Sequence, residues 1–251
     1  MLSAEQKEQF MKVCDRIVGA SHDEMGIGTY GEKTLHRVLK TFFCEDTDWH
    51  EVGLGSFVAD AMVGDTIYEI QTGGFYPLRK KLTYYLSRGD KRVVVVVPVA
   101  AKKRMIWIDP ETGAVANNPR TVSYPRAHVR VLRELFWLCD LAGIEQVTFR
   151  LVYLSIDEYK KLDGRGKDKK AKSTKIERIP RELLNIDDLR GGADIGRYFL
   201  PQDLPSPFTS ADFARLMGVR RMAISTDLRV LETFGAIRRV GKKGNSILYE
   251  K

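Results

Sequence analysis

Three acidic residues interrupt otherwise apolar patterns in the first 71 positions of this sequence. Glu32 lies three residues before Leu35, on a helical face whose other members are apolar. Asp60 closes a strand-like run directly before a turn. Glu69 sits in the centre of TIYEIQT, between Tyr68 and Ile70, with Gln71 two residues on and therefore facing the same side. Burying a carboxylate is costly unless it is hydrogen-bonded or holds a cation. Carboxylates converging from neighbouring strands form a hard-oxygen site of the kind that binds Mg²⁺ together with several of its own waters. The alternative is that Glu69 caps a neighbouring backbone and that the basic triplet Arg79, Lys80 and Lys81 is solvated.

The elements that must position these groups are legible from periodicity. Apolar residues Phe10, Val13, Cys14, Ile17 and Val18 give a helix over residues 4–20, and Leu35, Val38, Leu39, Phe42 and Phe43 give a second from about Glu32 to Phe43. Strand-like runs follow in HEVGLGSFVAD and DTIYEIQT. A helix then opens at Pro77, and KRVVVVVPVA reads as a strand buried on both faces. The order is α, β, β, β, α, β in an α/β domain with a mixed sheet. Beyond it, RMIWIDPETGAV suggests a hairpin turning at Asp109 to Gly113, Ala127 to Leu141 an apolar helix, and QVTFRLVYLSI another strand. Gly73-Gly74 reads as a plain turn before Pro77. Residues 160–175 form a basic, glycine-containing loop, and Pro201 to Pro207 a proline-punctuated linker. Three units result: an α/β domain over 1–158, a basic loop and linker over 159–204, and a C-terminal module over 205–251.

Asp60-x8-Glu69-x-Gln71 on consecutive strands, preceded by a helix carrying Glu32, resembles the PD-(D/E)XK nuclease superfamily over roughly Gly31 to Val99. The resemblance implies a restriction-endonuclease-like αβββαβ core. It makes Asp60, Glu69 and the Ile70 carbonyl ligands of Mg²⁺ or Mn²⁺, and Glu32 a contributing acid. The superfamily's usual lysine is replaced here by Gln71, an amide that can orient water but supplies no positive charge. Some members place the basic residue on the following helix, where this chain has Arg79, Lys80 and Lys81. Cations in a first helical turn oppose the helix dipole, so a phosphate backbone is a natural reason for their presence.

The module from Thr209 also resembles a known family. Thr209 or Ser210 caps a first helix that Gly218 ends. Ile224, Leu228 and Leu231 line a second that stops at Gly235, and strands at Ile237 to Val240 and Ile247 to Tyr249 flank the turn GKKGNS. This is similar to a winged helix-turn-helix. The similarity implies that Arg220, Arg221, Ser225, Thr226 and Arg229 face DNA from the second helix, while Lys242 and Lys243 meet phosphates from the wing.

Charge distribution agrees with a nucleic-acid partner. The chain of 251 residues carries a formal +8; Tyr159 to Arg181 holds ten Lys or Arg against three acids, and Pro205 to Lys251 nine against four, leaving the remainder acidic. Arg165, Lys167, Lys169 and Lys170 in the basic loop are expected to grip backbone. Cys14, Cys44 and Cys139 stand singly, without metal-finger spacing, and read as reduced thiols of a cytoplasmic protein. The stretch MLSAEQKEQFMKVCDR lacks the continuous apolar run expected of a signal peptide, no run approaches the roughly 18 apolar residues of a membrane span, and no phosphate-binding P-loop pattern appears. His22, His36, His50 and His128 read as ordinary residues. The expectation is a DNA-binding, Mg²⁺-dependent endonuclease targeted by a winged helix. The alternative is a catalytically inactive nuclease-like domain acting as a DNA-binding or transcriptional regulator. A homodimer enters by analogy alone.

Overall fold

The computed structural model describes residues 2–24, 33–164, 172–219 and 224–251. Its centre is a mixed sheet flanked by helices on both faces. The first helix, α1 (Ala4–Glu24), runs four residues past the predicted end, and α2 (Thr34–Phe43) follows. The run HEVGLGSFVAD is two strands, β1 (His50–Leu54) and β2 (Phe57–Val63), folded at Gly55 in the left-handed region. Strand β3 (Thr66–Ile70) completes an antiparallel meander, and α3 (Leu78–Ser87) crosses to β4 (Arg92–Ile108), which lies parallel to β3.

Next come β5 (Thr121–Ser123), α4 (Val129–Glu134) with a 3-10 turn over Leu135–Leu138, and β6 (Val147–Lys161), parallel to β4. The sheet order is β1-β2-β3-β4-β6-β7, with β5 paired to the far part of β4. Val93, Val95, Val97 and Val99 pack on the α3 and α4 side, whereas Val94 and Val96 pack under α1 and α2. That alternation is why the valine run reads as apolar on both faces. Each such fully buried side chain contributes about 1.5–3 kcal/mol.

Three expectations change. RMIWI is a continuation of β4 and not a strand of its own, while the expected turn at Asp109 to Gly113 is present, with Ile108 bridged antiparallel to Val115 across it. Asp60 lies within β2, and the turn falls after Val63. Residues 159–204 are more than loop and linker: β7 (Thr174–Arg190) pairs antiparallel with β6, and α5 (Gly191–Phe199) follows. Pro180 hides β7 from sequence reading. As the last strand in the sheet order among the described residues, β7 has an edge there and tolerates the missing N–H.

The C-terminal residues form β8 (Phe208–Thr209), α6 (Ser210–Met217), α7 (Ile224–Thr233), β9 (Arg238–Lys243) and β10 (Ser246–Glu250), with a three-stranded sheet ordered β8-β10-β9. Thr209 and Asp212 cap α6 reciprocally, and Gly218 ends it in the left-handed conformation. This unit does not hang free. Its buried Phe208, Phe213, Leu228 and Leu231 belong to the same apolar core as α3 and α4. A Cβ added to Gly196 of α5 would lie 2.4 Å from that of Ala236, so only glycine permits this approach. No helix among the described residues is long and apolar enough to cross a membrane.

Candidate functional site

Asp60 and Glu69 come together at the C-terminal end of β3, the edge of a parallel pair where open α/β sheets usually place ligands. The β2–β3 ladder ends at Ala61 and Tyr68. One rung further, the Ile70 N–H donates to the Asp60 carboxylate at 2.6 Å instead of to a strand carbonyl. Strand geometry puts the Ile70 carbonyl on the same side as its N–H.

Both helical layers reach these carboxylates. His36 Nε2, from α2, lies 3.2 Å from Asp60. From α3, Lys81 Nζ donates to both Glu69 oxygens at 2.7 and 3.0 Å, and the Tyr85 hydroxyl donates to Glu69 at 3.0 Å. Leu78, Leu82 and Tyr85 are buried on one face of α3, and Lys81 precedes that seam by one position. Its stem is thereby carried along the core while its ammonium ends at the carboxylate.

The electrostatics separate the two acids. Glu69 is 3% exposed, and burial together with the Asp60 charge pushes its carboxyl up to about 6, against the opposing pull of Lys81 and Tyr85. Burial also acts on Asp60, yet His36, the Ile70 N–H and Lys81 outweigh it and hold that carboxyl below its ordinary value. Burial and the neighbouring Glu69 raise the Tyr85 phenol.

The donor set of a buried carboxylate, a half-buried one and a strand carbonyl is chemically suited to a hard divalent cation that keeps part of its water shell. It is unsuited to a softer metal. The Glu69 oxygens are already bridged by an ammonium, so positive charge is welcome at that point. Among the described residues, no three His, Cys, Asp or Glu side chains are grouped to hold a metal ion. Glu32 lies outside the described residues.

The other expected residues distribute unevenly. Gln71 does not face the carboxylates with its amide, which donates to the Gly74 carbonyl at 2.6 Å and closes the glycine turn. Arg79 is held away from the site, bidentate to Asp140 at 2.5 Å and bound to the Trp137 carbonyl. Lys80 is exposed. Of the three consecutive cations, therefore, only Lys81 reaches the carboxylates.

On α7, Ser225 and Arg229 are exposed and Thr226 is half-buried. The Arg229 guanidinium lies over the Phe136 ring. Lys242 and Lys243 are exposed at the end of β9. Arg165, Lys167, Lys169, Lys170, Arg220 and Arg221 lie outside the described residues.

His36 and Tyr85 are the participants that sequence reading missed. Tyr85 falls four residues after Lys81 on one helix, a spacing that could have flagged it. His36 had no local signal. Cys14 and Cys44 are buried, Cys139 is half-buried, and none of the three is paired.

A family model described as a domain of unknown function, DUF8091, matches residues 33–190. That span contains the carboxylate site and ends with β7, before α5 and the C-terminal unit. An uncharacterized protein of Treponema pallidum (strain Nichols) is 30% identical over 232 residues, covering 90% of this chain and 88% of that protein. No solved structure matches with significance. The extent of these matches, over more than half the chain in one case and nearly all of it in the other, makes this chain a member of the DUF8091 family.

Proposed function

We propose that this protein is a DNA-directed, Mg²⁺-dependent endonuclease with a PD-(D/E)XK-type core and a C-terminal winged helix. One observation carries the reading: Lys81, from the helix after β3, stands on Glu69 beside Asp60 and supplies the cation that Gln71 lacks. The element order α2, β1, β2, β3, α3, β4 is the one the resemblance calls for.

Asp60, Glu69 and the Ile70 carbonyl would hold the metal, with Glu32 a further candidate. The bound ion would lower the pKa of water and polarise the scissile phosphate. The chain's own groups do the rest. His36 and the Ile70 N–H fix the Asp60 carboxylate, and Tyr85 orients Glu69. Lys81 exchanges its Glu69 contact for the water or phosphate oxygen when substrate arrives, bringing positive charge to where negative charge develops.

For the C-terminal unit, two helices followed by a hairpin that pairs with β8 support the winged-helix reading. The exposed stripe of Ser225 and Arg229 would face the groove, and Lys242 and Lys243 the backbone. Arg220 and Arg221 retain the same proposed role. Arg79 is better assigned to holding α3 against the segment around Asp140.

The test is cleavage of supercoiled plasmid and of linear and branched duplexes with Mg²⁺ or Mn²⁺, beside Glu69→Ala and Lys81→Ala. Metal-dependent cutting lost in both variants supports the assignment. Cutting that survives Glu69→Ala sinks it. A non-catalytic DNA-binding regulator is the second reading, favoured by the turning of Gln71 into its own loop. DNA binding without cutting on any substrate would establish it.

A further inference from the structure

Strands β4, β6 and β7 continue far past the carboxylate site. Val95 is the partner of Glu69, and β4 extends 13 residues beyond it to Ile108. From Ala100 to Met105 every β4 residue is half-buried, so this stretch is less covered than the valine run before it, although Ala100 still packs against the core under α1 and α2. Because β3 and β4 are parallel, the extension leaves from the same sheet edge that carries Glu69. At about 3.3 Å per residue, Lys103 lies roughly 25 Å from Val95 along the strand, and Trp107 roughly 40 Å.

This arm is organised by two adjacent carboxylates that are almost wholly buried, Asp157 at 2% exposure and Glu158 at 3%. Asp157 accepts from Arg104 at 2.5 and 2.8 Å and from Arg181 at 2.7 Å. Glu158 lies within 4 Å of four cations: Arg178 at 3.1 Å, Lys103 at 3.4 Å, Lys175 at 3.6 Å and Lys160 at 3.8 Å. Aromatic faces steady two of these lysines, Tyr124 beneath Lys103 and Trp107 beneath Lys160.

The cations outnumber what the acids need. Across residues 102–108, 155–161 and 174–182 there are eight Lys or Arg and four Asp or Glu. Burial and the nearby Arg178 and Lys103 press the Lys175 ammonium below its ordinary pKa, although Glu158 opposes them. The set is positively overloaded at fixed positions, the condition under which an external polyanion is bound at little cost in side-chain entropy.

We propose that the arm is a second backbone-binding site for duplex nucleic acid, gripping phosphates about one helical turn from the Asp60 and Glu69 site. One turn of duplex is about 34 Å, within the span of the arm's cations. The placement rests on the nuclease reading; the binding does not. The arm differs from the wing in position and from the α7 stripe in reading no bases, so it contributes affinity and orientation without sequence preference.

The test measures binding of a 30-base-pair duplex without divalent metal between 50 and 200 mM salt. The wild type is compared with Lys102→Gln/Lys161→Gln/Lys175→Gln and with a control of equal charge, Lys7→Gln/Lys12→Gln/Lys251→Gln. The slope of log affinity against log salt is expected to fall by about 2–3 in the arm variant, at about 0.9 per phosphate contact, and to stay put in the control. Equal slopes for the two variants overturn the proposal. So does an arm variant that keeps its duplex affinity while losing affinity for polyglutamate or for anionic vesicles, because the arm would then serve an acidic protein or a membrane surface. A reduced slope in a protein that cuts nothing supports the arm and sinks the catalytic assignment alone.

Discussion

At the scale of single residues, Glu69 is held in a state that folding disfavours. Its folded carboxyl titrates near 6, above the ordinary 4.5, so between these values the folded chain binds more protons than the unfolded one. Stability from this group therefore falls as pH rises from about 4.5 to 6, and the penalty persists above that, amounting to about 2 kcal/mol. Glu69→Gln is expected to raise stability by about that amount at pH 8 and to change it little at pH 4. Denaturant unfolding at the two pH values checks this; a variant less stable at pH 8 would make Glu69 and Lys81 a structural pair. For the proposed endonuclease, Mg²⁺ binding competes with the proton on Glu69, so metal affinity is expected to fall as the pH is lowered, as metal titration at two pH values would show. For the same proposed activity, Lys81→Met should lower kcat on the order of 10²-fold with little change in KM, as expected of a charge needed mainly in the transition state.

Among the elements, the apolar contact of α7 with α4 also contains one ion pair. Asp227 is fully buried, and its carboxyl is raised by burial against the pull of Arg133, which donates to it at 3.0 Å. Arg133→Ala strands that carboxylate and is expected to cost about 2 kcal/mol, below the usual figure for a buried pair because Arg133 is itself 40% exposed. Replacing both, as Arg133→Met/Asp227→Leu, should recover most of the loss in thermal unfolding. Elements with their own periodicity were legible in the sequence: α2 from its stripe, β4 from its valines, α6 from its cap and its glycine. β7 was not, because its pattern is broken by Pro180 and its support is the long pairing with β6. The two carboxylates were legible as acids out of place. The Lys81 contact and the His36 contact were not, since each depends on how a helix lies across the strand ends, which no local pattern encodes.

For the whole molecule, the close approach of Gly196 to Ala236 and of Gly192 to Phe234 joins the C-terminal unit to the sheet as one packed body. A bulkier residue must push the two apart, so Gly196→Val is expected to lower the melting temperature and increase the radius of gyration in solution scattering. An unchanged radius would mean that the contact holds nothing in place. The same glycines have a metrological consequence. A reading head joined to its blade without slack behaves as a ruler, so for the proposed activity the scissile bond falls at a constant offset from the bound sequence. Gly196→Val should blur that offset into a spread of cut positions on sequencing gels while the site chosen stays the same.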